Sequence, residues 1–458
     1  MNSGKSPSGA LGNAAGPWVL VVLLALAVRL PLLAGYDPVS FPDTGTYLQA
    51  ARDLVSGDFS VGQGRRTPGY PLIVAAFGGH GTSIVAFQLL SGIVTSLLLF
   101  WIAATLTGNR WWGAAAGAAH ALNLQQLFTE GALLTEALSA LTVIASLALL
   151  LSVCSRLRRG QNATVGLLAV GVLCTYALFV RPQFICLLVV APAAAIWAVS
   201  AGKWPSMRSL VPAIMILLPA MALLAGWGMV QKAKTGYFTL STQSGFGLVN
   251  HTVAFIETAP DEYAQVRDIL QRTRDRRIAE LGHSRNTIWY AWPEIQRTTG
   301  WSLPEASLHL KAMSQQVVAA NPGRYALSVA SAWVDFWTVP FFWEPEQVHP
   351  PALRHAVEGV WWVQHKLLRL ANLAFVLVVA GVCVWPALRR RLRWDIGLSA
   401  IAATVLMSSL IQALADQGAS SRYHLPTQSL VVLVLLIVAA RWRQSRPGVA
   451  AAAEPKRT

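Results

Sequence analysis

Residues Gly131–Val153 read GALLTEALSALTVIASLALLLSV, and the residues that follow, Cys154–Arg159, read CSRLRR. The run contains a single charged residue, Glu136, and is apolar on every side rather than along one stripe. A run of about 18 or more apolar residues is long enough to span a bilayer as a helix. A soluble amphipathic helix would keep a polar face. The basic cluster that stops the run is the second half of the signal, because Lys and Arg accumulate in cytoplasmic loops.

The same two-part pattern recurs outward from this segment. Trp18–Leu33, Ile84–Thr105, Ala213–Val230, Leu370–Leu388 and Ser429–Trp442 are further apolar runs. Basic residues sit at their ends: Lys203 and Arg208; Arg389, Arg390, Arg391 and Arg393; Arg441, Arg443 and Arg446. Hydrophobic residues make up 54% of the 458-residue chain and charged ones 12%, against about 25% charged in soluble proteins. The net charge of +15 is therefore a topology signal, and no nucleic-acid partner is expected. Cys154, Cys174, Cys186 and Cys383 lie in or beside apolar runs, so no disulfide framework is expected. Arg29 interrupts the first run and no cleavage signal follows, which reads as an uncleaved anchor.

With the basic clusters inside, the expected fold is an all-α multi-pass transmembrane bundle of about ten spans, both termini cytoplasmic, with a small extracytoplasmic domain. The expected division is a disordered tail at 1–16, an N-terminal transmembrane catalytic module at 17–230 with an outer loop at 35–81, an extracytoplasmic acceptor or cap segment at 231–323, an interfacial helix and C-terminal spans at 324–443, and a disordered tail at 444–458. Span three is placed near Trp112–Leu127 and span four at Gly131–Val153. Within the cap segment, Val266, Ile269, Leu270, Ile278 and Leu281 form the apolar stripe of an amphipathic surface helix. A crossing at Arg324–Trp343 would break the parity of the spans. That segment is expected flat on, or dipping into, the outer interface, where Trp333, Trp337, Phe341, Phe342 and Trp343 would be at home.

Three outer segments carry polar residues that a bare scaffold does not need. The first is Phe41-Pro42-Asp43-Thr44-Gly45-Thr46-Tyr47, followed by Arg65-Arg66-Thr67-Pro68-Gly69-Tyr70-Pro71. Asp43 precedes a helical pattern, and an N-cap is the alternative to a chemical role. The second is Thr135-Glu136, with Glu130 in the turn before it. An ionisable residue in a membrane helix is a functional candidate by default, and pairing with a buried Arg is the alternative. Six positions put the two glutamates about 120° apart on a straight helix, which leaves Glu136 as the preferred one. The third is Ser420-Ser421-Arg422-Tyr423-His424-Leu425-Pro426 at the outer mouth of the last span. Arg66, Arg181 and Arg422 all fall outside, against the chain's charge bias. Either they snorkel to headgroups or they recognise an anionic group such as a phosphate.

These motifs resemble the membrane glycosyltransferases of the C-type fold, in the bacterial branch related to protein mannosyltransferases and to the aminoarabinose transferase of lipid A. The resemblance rests on Arg29 ending the first span, on Asp43-Thr44-Gly45-Thr46-Tyr47-Leu48-Gln49-Ala50-Ala51, on Arg65-Arg66-Thr67-Pro68-Gly69-Tyr70-Pro71-Leu72 and on Thr135-Glu136-Ala137-Leu138. Asn321-Pro322 with Tyr325, Phe336-Trp337, and Arg422-Tyr423 with Pro426 add weaker matches. Many relatives have Asp-Glu in the first loop, whereas Thr44 follows Asp43 here.

The resemblance implies a sugar donor carried on a polyprenyl phosphate, an inverting displacement at the anomeric carbon, and an active site facing the periplasm or exterior of the cytoplasmic membrane. The acceptor would be a lipid, glycan or protein hydroxyl, and membrane lipids would surround the chain. Asp43 would be the general base and Arg66 the main phosphate ligand, supported by Arg181 and Arg422. Glu136 would position acceptor or sugar. Tyr47, Arg65, Tyr70, Glu130, Tyr423 and His424 complete the expected substrate-facing set. Trp289, Tyr290, Trp292 and Trp301 are either sugar-stacking rings or part of the outer domain's own core. No cofactor is required by this scheme. A divalent cation is left open, because some relatives bind one. The rival readings are a multi-pass transporter or flippase, whose polar features would lie at the midplane, and a polysaccharide polymerase or ligase with a similar span plan.

Overall fold

In the computed structural model, residues 9–200, 204, 206–339, 344–418 and 420–445 are described. The chain opens with α1 (Gly9–Gly35), passes through a loop carrying α2 (Thr44–Val55) and α3 (Gly69–Ala76), and re-enters as α4 (Gly81–Thr107). Next come α5 (Arg110–Ala121), α6 (Leu124–Glu130), α7 (Glu136–Arg158), α8 (Thr164–Val180), α9 (Leu187–Ser200) and α10 (Met207–Thr235). Then α11 (Ser244–Thr252), α12 (Ala264–Leu281), α13 (Thr287–Thr299) and α14 (Leu303–Ala320) form a separate polar-surfaced unit. The chain closes with α15 (Pro322–Phe336), α16 (Ala352–Val384), α17 (Pro386–Arg391), α18 (Ile396–Ala415) and α19 (Leu425–Gln444).

Among the described residues, eight helical segments are long and apolar enough to cross a membrane: Gly16–Gly35, Gly81–Thr107, Glu136–Arg158, Pro182–Ser200, Met207–Thr235, Ala352–Val384, Ile396–Ala415 and Ser421–Gln444. Continuity supplies two more passes. Thr105 and Leu106 of α4 line one pocket with Arg158 at the end of α7. The chain must therefore traverse through α5 and α6 before α7 can begin at Glu136. Likewise α8 must return from Arg158 to Arg181, which touches Glu136. The fold is the expected all-helical multi-pass bundle of about ten spans with a small appended domain.

The most enclosed span is α7, whose buried residues include Val143, Ile144, Leu147 and Leu150. It packs with α8, α9, α18 and α19 around one core. Hydrocarbon on both sides removes the usual hydrophobic drive, so packing and polar pairs hold such helices together. Small residues allow this: a Cβ at Gly113 or Gly117 of α5 would stand 2.8 Å from the Phe100 or Ser96 carbonyl oxygen of α4. The tight turn between these two helices uses Gly108 at φ 68°, and the Asn109 side chain accepts from the Trp111 N–H at 2.8 Å to start α5. Leu20, Leu23, Leu218, Met221, Leu373 and Leu377 stay exposed on α1, α10 and α16, the side chains that lipid would cover.

The appended unit has its own core of Phe246, Val249, Ile269, Leu270, Ile288 and Leu310. Helix α14 begins with a capping box between Ser302 and Glu305. Of the stripe expected on the amphipathic helix, Val266, Ile269 and Leu270 are buried, whereas Ile278 and Leu281 are about half exposed.

Several boundaries differ from the sequence reading. Helix α1 already begins at Gly9, inside the segment expected to be a tail. Residues 1–8 and 446–458, with Arg446, lie outside the described residues, as do Lys203 and Phe341, Phe342 and Trp343. Span three is two helices, because Leu122 and Asn123 interrupt it and Asn123 caps α6 through the Gln125 N–H. Span four starts at Glu136, not at Gly131: residues 131–135 are irregular despite being apolar, because Gly131 and Leu133 hydrogen-bond to Val39 instead of continuing a helix. Helix α15 lies against α18, with Tyr325 Oη donating to the Leu414 carbonyl at 3.0 Å and Trp333 Nε1 to Ser409 at 3.0 Å. Its tryptophans turn inward. Trp337 packs on Phe375 and His424, while Leu327 and Val334 face out.

Candidate active site

The loop after α1 is fastened to the α6–α7 turn by backbone pairing. Val39 N–H donates to the Gly131 carbonyl at 3.1 Å, and Leu133 N–H to the Val39 carbonyl at 3.0 Å. Thr44 Oγ1 reinforces this by donating to the Leu133 carbonyl at 3.1 Å. Asp43 is thereby carried to the mouth of α7. Asp43 occupies the N-cap position of α2, yet its side chain makes no capping bond. That removes the bland reading of this residue.

The second strand of the loop is set by Gly69. A Cβ there would stand 2.5 Å from Val180 N, so only glycine lets α3 press onto the end of α8. Tyr176 Oη donates to the Gly69 carbonyl at 3.0 Å. This contact holds the loop that carries Arg66 against the end of α8, which stops at Arg181. The segment before α11 holds the loop from the other side, through Thr242 N–H to the Gly64 carbonyl at 2.8 Å and Ser241 Oγ to the Arg65 carbonyl at 3.1 Å.

Three arginines and two carboxylates meet there. Arg66 Nη2 donates to Asp43 Oδ1 at 2.6 Å, and Arg422 Nη1 to Asp43 Oδ2 at 2.6 Å. Arg422 Nε donates to Glu136 Oε1, which also accepts from Arg181 Nη2 at 2.7 Å. Arg181 Nε donates to Thr135 Oγ1 at 2.7 Å. Arg66 Nε donates to Thr46 Oγ1 at 2.8 Å, and the Arg66 guanidinium lies 4.2 Å from the centre of the Tyr47 ring. Arg181 lies similarly over Tyr423 at 4.7 Å. Three guanidinium groups against two carboxylates leave the cluster with one net positive charge at neutral pH.

Access is graded. The Glu136 side chain is fully buried, Arg181 and Arg66 are nearly so, and Asp43 is 32% exposed. Burial alone would raise the Asp43 pKa. The Arg66 and Arg422 charges outweigh it and hold the carboxyl well below its usual range. Arg181 Nη1 and Arg65 Nε are buried donors with no acceptor among the described residues, an arrangement that costs free energy unless an acceptor is supplied. Beside the cluster is a cavity of about 200 Å³ lined by Thr46, Gln49, Gln63, Arg66, Trp292 and Gln296. Arg65 also lines it and stacks 4.9 Å from the Trp289 ring centre.

The structure thus gathers Asp43, Tyr47, Arg65, Arg66, Glu136, Arg181, Arg422 and Tyr423 at one place. It sets three expected residues into the surrounding walls, Tyr70 among them with its ring edge-on to Tyr47 at 5.0 Å. Glu130 is fully buried against Arg29, which donates from Nε and Nη2 at 2.8 Å each; Gly92 leaves the room, since a Cβ there would collide with the Glu130 carboxylate. Tyr70 Oη donates to Gln88 at 3.0 Å, and Gln88 in turn holds the Glu130 and Ala132 carbonyls. His424 is buried, its ring paired with Thr427 and Asn372. These three stabilise the walls. Glu136, expected to touch acceptor or sugar, instead sits behind Arg181 and Arg422. Trp289, Trp292 and Trp301 pack against the appended domain's core, while Tyr290 is exposed.

Sequence reading missed Thr46, Gln49, Gln63 and Gln296. Thr46 was within reach, because position i+3 from Asp43 shares its helical face. The glutamines carried no signal until the domain was docked. A divalent cation does not fit this donor set: both Asp43 oxygens and Glu136 Oε1 accept from arginines, and no group of three or more His, Cys, Asp or Glu that could hold a metal occurs among the described residues.

No protein-family model matches the chain, and no curated protein matches it. Among solved structures it is similar to ArnT from Cupriavidus metallidurans bound to undecaprenyl phosphate, at 15% identity and a TM-score of 0.36, over 90% of this chain and 78% of that one.

Proposed function

We propose that this chain is a membrane glycosyltransferase. It moves a sugar from a polyprenyl-phosphate donor to a hydroxyl of a lipid, glycan or protein acceptor at the outer face of the cytoplasmic membrane, with inversion. The observation that carries the reading is the Asp43 carboxylate shared between Arg66 and Arg422 at the end of the spans, beside a polar cavity. A lipid-linked donor keeps its tail among the spans and presents phosphate and sugar at that level.

The arginines give the phosphate its site. Guanidinium groups bind phosphate through paired N–H donors, and the donors of Arg181 and Arg65 that lack acceptors among the described residues supply capacity for it. As the anomeric carbon–phosphate oxygen bond breaks, charge grows on the phosphate, and fixed cations stabilise that change. Glu136 is a positioning residue that fixes the Arg181 and Arg422 side chains.

Asp43 takes the acceptor proton as the acceptor oxygen bonds to the anomeric carbon. With both oxygens held by arginine it is a weak base. A bound phosphate competes for Arg66 and Arg422, frees the carboxylate and raises its pKa toward the usual range. Donor binding therefore switches the base on.

The test uses the full-length protein in liposomes with a radiolabelled polyprenyl-phosphate sugar, and envelope extract from a strain lacking the gene as acceptor source. Transfer should release polyprenyl phosphate and label an envelope component. Passage of intact donor across the bilayer without release would favour a flippase and defeat the proposal.

A further inference from the structure

The opposite end of the bundle holds a cleft that the transfer chemistry does not use. It lies between α9 and α18, with a volume of about 390 Å³, and its walls include Val189, Ala193, Trp197, Ile396, Ala403 and Met407. At about 1.5 Å rise per residue, Val189 to Trp197 and Ile396 to Met407 give it a length of roughly 12–16 Å along the helices. A second pocket of about 260 Å³ lies between α4, α7 and the start of α18; it shares Arg158, Asp395 and Ile396 with the first, and its own walls are Leu106, Leu151 and Cys154 with Ser155 and Arg159 at the polar side.

The mouth is charged. Arg158 ends α7 and Arg389 lies in α17, and both line the larger cleft. Both are exposed, and neither guanidinium has a hydrogen-bond or ion-pair partner among the described residues. The acidic residue beside them, Asp395, is already neutralised: it accepts from Arg441 Nη2 at 2.7 Å and from the Leu398 N–H at 3.0 Å. Two unpaired cations therefore stand over an apolar slot whose rim carries Trp197 and Trp394, residue types that settle at headgroup level. Greasy walls, an open cationic mouth and a forked interior match one kind of ligand.

We infer that this cleft is a binding site for an anionic glycerophospholipid, with its phosphate between Arg158 and Arg389, one acyl chain along α9 and α18, and the other in the adjoining pocket. A zwitterionic lipid would fill the same walls, but its ammonium group offsets the charge that the arginines select. A basic pocket between spans discriminates lipids by this charge. The site is independent of the transferase reading, because it shares no residue with the Asp43 cluster.

The experiment is native mass spectrometry of the full-length protein in neutral detergent. It is titrated with phosphatidylglycerol, with phosphatidylcholine of the same chains, and with inorganic phosphate. Phosphatidylglycerol should bind roughly tenfold or more tightly than phosphatidylcholine, and Arg158→Gln with Arg389→Gln together should abolish the preference. Ala193→Phe, a change at an exposed wall position, should weaken both lipids by filling the slot, and it serves if the double variant does not fold. Equal binding of the two lipids, an unchanged preference in the folded double variant, or binding of inorganic phosphate as strong as that of the lipid would overturn the inference.

Discussion

Replacing Arg66 by lysine and by alanine separates a phosphate ligand from a snorkelling side chain. The guanidinium makes three directed contacts: to Asp43 at 2.6 Å, Thr46 at 2.8 Å and Tyr47 Oη at 3.2 Å. Those contacts hold its plane and aim it at the cluster. Lysine keeps the charge but offers a single point donor, so a phosphate loses one of two paired N–H bonds. A hydrogen bond to a charged group is worth about 1.5–3 kcal/mol, which converts to roughly a ten- to hundredfold fall in kcat/KM for the lysine variant. Alanine removes both bonds, about 3–6 kcal/mol, and should lower kcat/KM by roughly a hundredfold to ten-thousandfold. The assay is the initial rate of polyprenyl phosphate release at varied donor concentration, with thermal melting run alongside to show that both variants fold. Loss should fall on kcat as well as KM, because leaving-group charge grows during transfer. If both variants stay within about threefold of the parent protein, Arg66 does not hold the phosphate, and Arg181 or Arg422 takes its place.

Three further outcomes follow from the same contacts. Glu130→Gln should cost about 3–5 kcal/mol of stability by stranding buried Arg29, seen as a lower Tm, and joint replacement of Arg29 and Glu130 by Met and Leu should recover most of it; an unchanged Tm for Glu130→Gln would contradict the pairing. The Asp43 pKa lies below its ordinary value of 3.8, so its pairing contributes stability above that value and loses it as pH falls through the lower folded-state pKa. Acidification below about pH 4 should therefore lower the Tm of the parent protein more than that of Asp43→Asn; identical acid profiles would refute the ion pair. Finally, with Cys383 replaced, cysteines at Asp58 and His283 should react with an impermeant thiol reagent in intact cells and one at Arg390 should not; protection of the first two would reverse the orientation.

How much of this was legible in the sequence differs by level. The spans were, since an apolar run such as Ile396–Ala415 ended by charge or turn residues has few other solutions. The buried stripe of α12 was also visible in part, through Val266, Ile269 and Leu270. The exact start of α7 was not. Residues 131–135 are as apolar as the helix that follows, and only pairing with Val39 shows them to be irregular. The cluster was named residue by residue, but not its wiring: nothing local tells that Arg422 reaches Asp43, 379 positions away. For the same reason Glu130, Tyr70 and His424 looked equivalent to Asp43. Polar residues near a span end are alike in sequence, and burial by Arg29, Gln88 and Asn372 is what sets them apart. Glu136 carried two candidate meanings, and pairing with buried arginine is the one its contacts show.

The most direct measurement compares turnover and donor binding in purified Asp43→Asn. Asparagine keeps the size and can still accept a hydrogen bond from an arginine, but it does not take a proton at neutral pH. The account predicts that transfer from the polyprenyl-phosphate sugar falls by roughly a hundredfold or more, while the donor binds as tightly as before or more tightly, because Arg66 and Arg422 no longer face a competing carboxylate. Turnover near that of the parent protein, with donor binding intact, would contradict it.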